Sequence, residues 1–121
     1  MFKLVFHINE PQKWPMLLNN IHNTIQALQT DNVPFNIVII ANAGAVQGYL
    51  DSETRQKIAE LTIHNEAENI QFYACQNSLK GQDISIDELN PKNTPITIDT
   101  VPVAIIALVE HQKAEFAYIK L

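Results

Sequence analysis

In the stretch IQFYACQNSLKG, residues 70–81, the chain's one cysteine ends a short β-like run and leads into polar residues able to start a helix. The reactive form of a cysteine is its thiolate, and unpaired N–H groups at a helix start stabilise that anion. Gln76, Asn77 and Ser78 offer further donors to the Cys75 sulfur, and Lys80 adds positive charge nearby. Free cysteine is also among the most buried residue types, so an inert core thiol is the competing reading. Burial and thiol pKa separate the two.

Other chemistries find less support. With a single cysteine, neither a zinc ribbon nor a CxxC redox couple can form within the chain. His7, His22, His64 and His111 show no spacing that puts two metal ligands on one helix face. His7 ends a strand and could approach Cys75 or a ligand, though a hydrogen bond to nearby backbone is the simpler expectation. The other three read as solvated helix residues. No GxSxG elbow is present. The loop after the first strand, NEPQKW, has no glycine to close around a phosphate, which disfavours a flavin or dinucleotide there. Gly44 and Gly48 read as a tight turn feeding the next helix, and Trp14 as a packing residue rather than a pocket wall. We expect no cofactor and no metal.

The whole chain can be assigned to elements. Residues 2–8 (FKLVFHI) are rich in β formers and stop at NEPQ. Trp14, Leu17, Leu18, Ile21, Ile25 and Leu28 recur at helical spacing. Residues 35–41 (FNIVIIA) are nearly all apolar, as a parallel strand covered on both faces must be. A helix over 52–65 follows, with Ser52 able to cap it and Glu53 suited to its positive end. Residues 70–74 form a third strand and 96–100 a fourth, joined by a polar connection with helical turns near 76–80 and 85–90. Residues 81–95 read as a mobile cover over Cys75, tethered by Ile84, Ile86 and Leu89. Pro102 opens a helix over 102–112, apolar on nearly every side in VPVAIIALV, and 116–120 closes as a fifth strand. Such a helix needs only one apolar stripe to cover a sheet, so its other face is expected to meet a second subunit.

Alternating strands and helices imply an α/β fold with a parallel sheet, in which chemistry collects beyond the carboxyl ends of the strands. That edge comprises His7 with Ile8 to Glu10, Asn42 to Gly44, Cys75 to Ser78, Thr100, Val101 and Lys120. Cys75, Asn9 and Asn42 all fall on it. The 121 residues fit one domain, 1–121, and the composition, 46% hydrophobic and 17% charged, is that of a globular protein. The net charge of −5 and a single arginine, Arg55, disfavour nucleic acid and anionic membranes as partners. The apolar run in MFKLVFHINE is short for a signal peptide, and no stretch approaches membrane-span length, so a cytoplasmic location is expected.

Taken together, VFHINEPQKWPMLLNNIHN, FYACQNSLKG, TVPVAIIALVEHQ and FAYIK resemble the DsrE/DsrF-like proteins, relatives of the TusD-type sulfur-relay subunits. The resemblance runs from the first strand to the last. It implies a three-layer α/β/α fold with a five-stranded parallel sheet and assembly into trimers or hexamers. It also implies that a cysteine after the third strand, here Cys75, carries sulfur as a persulfide between donor and acceptor proteins. A single cysteine suffices for that task, because the thiols that deliver and remove the sulfur belong to other proteins. The alternative is a non-catalytic oligomeric module that binds a small ligand or a protein, with Cys75 structural.

Overall fold

The computed structural model describes residues 1–64 and 69–121. Five strands, β1 (Phe2–Ile8), β2 (Phe35–Ala41), β3 (Ile70–Cys75), β4 (Ile98–Val101) and β5 (Ala117–Lys120), form one sheet in the order β4-β3-β2-β1-β5. Every pairing is parallel. Among the described residues five α-helices accompany them: α1 (Trp14–Thr30), α2 (Ser52–His64), α3 (Gln76–Gly81), α4 (Ile86–Leu89) and α5 (Ala104–Lys113). The expected helix 52–65 is present up to His64, and Asn65 lies outside the described residues.

The strand order dictates where the helices go. From β1 to β4 the chain steps across the sheet in one direction, so crossovers of one hand place all their helices on the same face. From β4 to β5 it returns the other way, and α5 must cross the opposite face. Burial follows this division. Leu17, Ile21 and Ile25 of α1, Ile58 and Leu61 of α2, Leu79 of α3 and Leu89 of α4 join one large core with Leu4, Phe6, Ile37, Ile39 and Phe72. On the other face Ala104, Ala107 and Leu108 of α5 pack on Val5, Val38, Ile40 and Cys75 in a much smaller cluster.

Several local expectations change. Residues 43–50, expected as a glycine turn, form a run of 3-10 turns, Ala43–Leu50. Gly48 is required there by packing: a Cβ would stand 2.1 Å from the Trp14 indole nitrogen. Trp14 itself is buried, donates to the Ala45 carbonyl at 2.8 Å and packs against Tyr49, which settles it as a core residue. Asp51, rather than Ser52, caps α2, its Oδ2 accepting the Thr54 N–H at 2.9 Å. Helix α5 starts at Ala104 with Val103 as its cap, two residues later than Pro102 suggested.

The connection 81–95 is not a cover over Cys75. Ile84 and Leu89 pack into the large core, on the sheet face away from the sulfur, and Ile86 is exposed. Two side chains pin it. The Arg55 guanidinium donates to the Tyr49 and Leu89 carbonyls at 2.8 Å each and to Thr94 Oγ1 at 2.7 Å. The Asn90 amide pairs with both backbone groups of Ile98, at 2.7 and 2.8 Å, extending the β4 edge.

Candidate functional site

Neighbouring strands β3 and β4 send their following helices to opposite faces of the sheet. Beyond their carboxyl ends the layers therefore part, which is where open α/β sheets hold ligands and chemistry. Cys75 is the last residue of β3 and the N-cap of α3; Val101 is its partner on β4, two residues before the cap of α5. The sulfur thus sits between two helix starts that diverge from it. A hydrogen bond from the Gln76 amide to Thr100 Oγ1, 2.9 Å, ties the two strand ends together.

Burial of Cys75 raises its thiol pKa, and the polarity of the nearby Ser78 hydroxyl and of the Ser78, Ala104 and Asn77 N–H groups outweighs that effect. The net result is a thiol held below its ordinary value, as donors aimed at a developing anion require. The residue is only 4% exposed, so the expected accessible thiol is instead covered. What covers it is the first turn of α5, with Ala104 packed beside it.

The donors have different origins. Asn77 and Ser78 act as the first turn of α3, and the Ser78 hydroxyl is itself held: its oxygen accepts the Ala43 N–H at 2.7 Å. Ala43 has a left-handed backbone, φ 50°, an uncommon state for a residue with a Cβ. Asn42, just before it, extends the β1–β2 ladder by donating to the Ile8 carbonyl at 3.1 Å. Its side-chain Oδ1 lies 2.9 Å from His7 Nε2, while His7 Nδ1 lies 2.7 Å from the Tyr118 hydroxyl. Burial holds the His7 pKa below 6.5, partly offset by the Asn42 bond and assisted by the Lys120 charge. The neutral ring therefore donates from Nε2 and accepts at Nδ1.

Of the residues expected to matter, Asn77 and Ser78 form the first turn of α3 next to Cys75, Ser78 Oγ accepts the Ala43 N–H, and His7 is bonded to Asn42. Gln76 braces β4. Asn9 accepts from Lys120 Nζ at 3.0 Å, at the β1–β5 side of the edge. Lys80 is exposed in the last turn of α3 and is not among the groups acting on the sulfur. The simpler expectation for His7, a backbone hydrogen bond, gives way to two side-chain partners. His111 is not simply solvated either: it bonds the Ala107 carbonyl at 2.7 Å and meets the Phe116 ring edge-on, 5.0 Å between centroids. Ala43, Ala104 and Tyr118 were not foreseen. The first two act through backbone N–H groups that any residue other than proline possesses, so their side chains carry no signal.

An open groove of about 630 Å³ runs between α1 and α2, lined in part by Leu18, His22, Ile25, Lys57, Glu60 and His64. It lies across the sheet from Cys75. Among the described residues no cluster of His, Cys, Asp and Glu could hold a metal ion, and no helix is long and apolar enough to cross a membrane.

Two solved structures share this architecture from end to end. MTH1491 from Methanobacterium thermoautotrophicum, described as a protein of unknown function, superposes with a TM-score of 0.81 at 26% identity, each chain covered over 100% of its length. The ychN protein from E. coli gives a TM-score of 0.68 at 18% identity, again with 100% of both chains covered. Both belong to the DsrE/TusD-like fold family. The chain has a DsrE-like fold. No protein-family model matches it, and no curated protein sequence does. The DsrE-like fold accounts for the five-stranded parallel sheet and its two helical layers.

Proposed function

We propose that this protein is a sulfur carrier that holds sulfane sulfur as a persulfide on Cys75 and passes it to a partner protein. One observation carries the reading: Cys75 ends β3 at the carboxyl edge of the sheet, where the β3 and β4 layers part, with the polar groups of the α3 and α5 starts around it. Donors of that kind stabilise either a thiolate or the terminal anion of a persulfide nearby. In the loading step the Cys75 thiolate attacks the outer sulfur of a donor persulfide, R–S–SH. A bond forms between Sγ and that sulfur as the donor's S–S bond breaks, and R–S⁻ leaves with the electron pair. No outside oxidant or reductant is consumed. Unloading repeats the exchange with an acceptor thiolate as the attacking group. To admit a donor, the first turn of α5 moves off the sulfur.

The fold supports this reading only at the level of architecture, and the cytoplasmic location and homo-oligomeric state, trimer or hexamer, are part of the same proposal. A second reading is favoured by the 4% exposure of Cys75: a binding module in which the thiol is structural. Mass spectrometry of the freshly purified protein distinguishes them. A carrier shows an adduct of one or more sulfur atoms on Cys75, removed by reductant and absent from Cys75→Ser. Incubation with a low-molecular-weight persulfide restores that adduct. A thiol that neither carries nor accepts sulfur, and resists alkylation until the protein unfolds, identifies the structural role.

A further inference from the structure

Helix α1 runs for 17 residues without one Asp, Glu, Lys or Arg. Its exposed side carries Asn19, Asn20, Asn23, Gln26 and Gln29 instead. Asparagine is a poor helix former, and lysine or glutamate would favour the helix more, so helix stability does not explain the choice. Uncharged amides shed water at less cost than charges do, and the covered centre of an interface is depleted in charge. Asn19, His22, Gln26 and Gln29 follow one another at spacings of three, four and three residues, so they form one row along the wall of the groove between α1 and α2. Among the described residues no hydrogen bond or ion pair engages the side chains of Asn19 or Gln26. The floor is apolar, from Leu18, Ile25 and Leu61. On the α2 wall Lys57 and Glu60 stand one turn apart and cancel in charge.

These features select the occupant. An acyl chain would leave the amide row unanswered, and a sugar would find no ring to stack on, since none of the described lining residues is Phe, Tyr or Trp. An extended peptide answers both the row and the floor. Each Asn or Gln amide offers a donor and an acceptor, the pair that a peptide backbone needs. Alternate side chains of a strand point the same way, here toward Leu18, Ile25 and Leu61. From Asn19 to Gln29 the row is about 15 Å long, room for roughly four or five extended residues. We propose that the α1–α2 groove docks an uncharged, extended peptide segment of a partner protein, with the amide row bonding its backbone and the floor receiving alternate apolar side chains. In such recognition main-chain hydrogen bonds give affinity and the pockets for alternate side chains give specificity. The groove lies across the sheet from Cys75, and the inference does not depend on the carrier reading.

The test uses acetyl-Ala-Leu-Ala-Leu-Ala-amide, capped so that it carries no charge, added to the isotopically labelled full chain. Nuclear magnetic resonance follows the side-chain amide signals. Those of Asn19 and Gln26 shift and saturate, while those of Asn9 and Asn42, at the carboxyl edge of the sheet, do not move. Gln26→Ala, an exposed change to a better helix former, weakens binding about threefold to tenfold, the loss of one neutral hydrogen bond. Methylating alternate backbone nitrogens of the peptide removes its donors and weakens binding by about tenfold or more. Amide signals that millimolar peptide leaves unmoved overturn the inference, as does a methylated peptide that binds as tightly as its parent. Shifts caused by decanoate and not by the peptide assign the groove to an acyl ligand, and shifts that follow protein concentration alone assign it to a second copy. Either of these also overturns the peptide reading, and none of the outcomes touches the proposal for Cys75.

Discussion

At the scale of single residues, the site couples two ionisations of the same sign. The fold holds His7 neutral and favours the Cys75 thiolate, so in both cases the unfolded chain binds more protons than the folded one. For His7 the resulting stability is complete above 6.5, the unfolded value, and is lost as pH falls through the lower folded value. We therefore expect the urea midpoint of the wild type to decline on acidification from about pH 7.5 to 5, and the decline to be shallower in His7→Gln. Equal slopes for the two proteins would show that His7 does not contribute. For Cys75 the stabilisation is complete above the ordinary thiol range and fades as pH falls through the depressed folded value. The sequence pointed to Cys75, Asn77 and Ser78 because a strand followed by polar, helix-competent residues is a local pattern. It could not reveal the Tyr118–His7 bond, which spans 111 residues and depends on β5 lying beside β1.

Among the elements, the connection between β3 and β4 departs furthest from what its composition suggests. Residues 81–95 are polar and rich in turn formers, the usual marks of a mobile loop, yet α4 has a capping box from Ser85 and Glu88 and buries Leu89. Arg55 binds two acceptors there, Leu89 O and Thr94 Oγ1, and a third, the Tyr49 carbonyl, in the 3-10 run; none is charged, and its planar fork reaches all three together. Arg55→Lys should accelerate amide hydrogen exchange across residues 86–96 while leaving β1 and β2 unchanged, at a global cost of about 1–3 kcal/mol. Uniform acceleration through the sheet would show instead that the connection unfolds only with the whole protein. The regular elements were legible because apolar spacing of 2 or 3.6 residues survives in any context. The 3-10 run at Ala43–Leu50 was not, since its shape answers to the Trp14 ring rather than to its own periodicity.

Over the whole molecule, the two sides of the sheet are covered very unequally. Among the described residues four helices and the 3-10 run attend one face, and α5 alone the other, with Ile105, Ile106 and Val109 of α5 exposed to 68, 58 and 45%. The sequence indicated this surplus correctly, because an apolar helix with no polar side needs two neighbours. It could not say what the second neighbour is. If that neighbour is another copy of the chain, Ile106→Lys should lower the molar mass seen by light scattering to that of a monomer, 13.7 kDa, without altering the far-ultraviolet circular dichroism. A wild-type protein that is already monomeric at micromolar concentration would remove the oligomer from the proposal.

The position of β1 between β2 and β5 has a consequence for how the protein is made. Of the five strands β1 is translated first and β5 last, so one edge of β1 waits for nearly the entire chain before it is paired. Contacts that distant in sequence are the slow ones to form. Until β5 docks, His7 lacks the Tyr118 hydroxyl and its ring proton is unassigned between two nitrogens. On a ribosome His7 would therefore be made at the outset and meet its Tyr118 partner only at the end. Completion of the β1 edge of the sheet becomes a late event of folding, timed by the arrival of a four-residue strand.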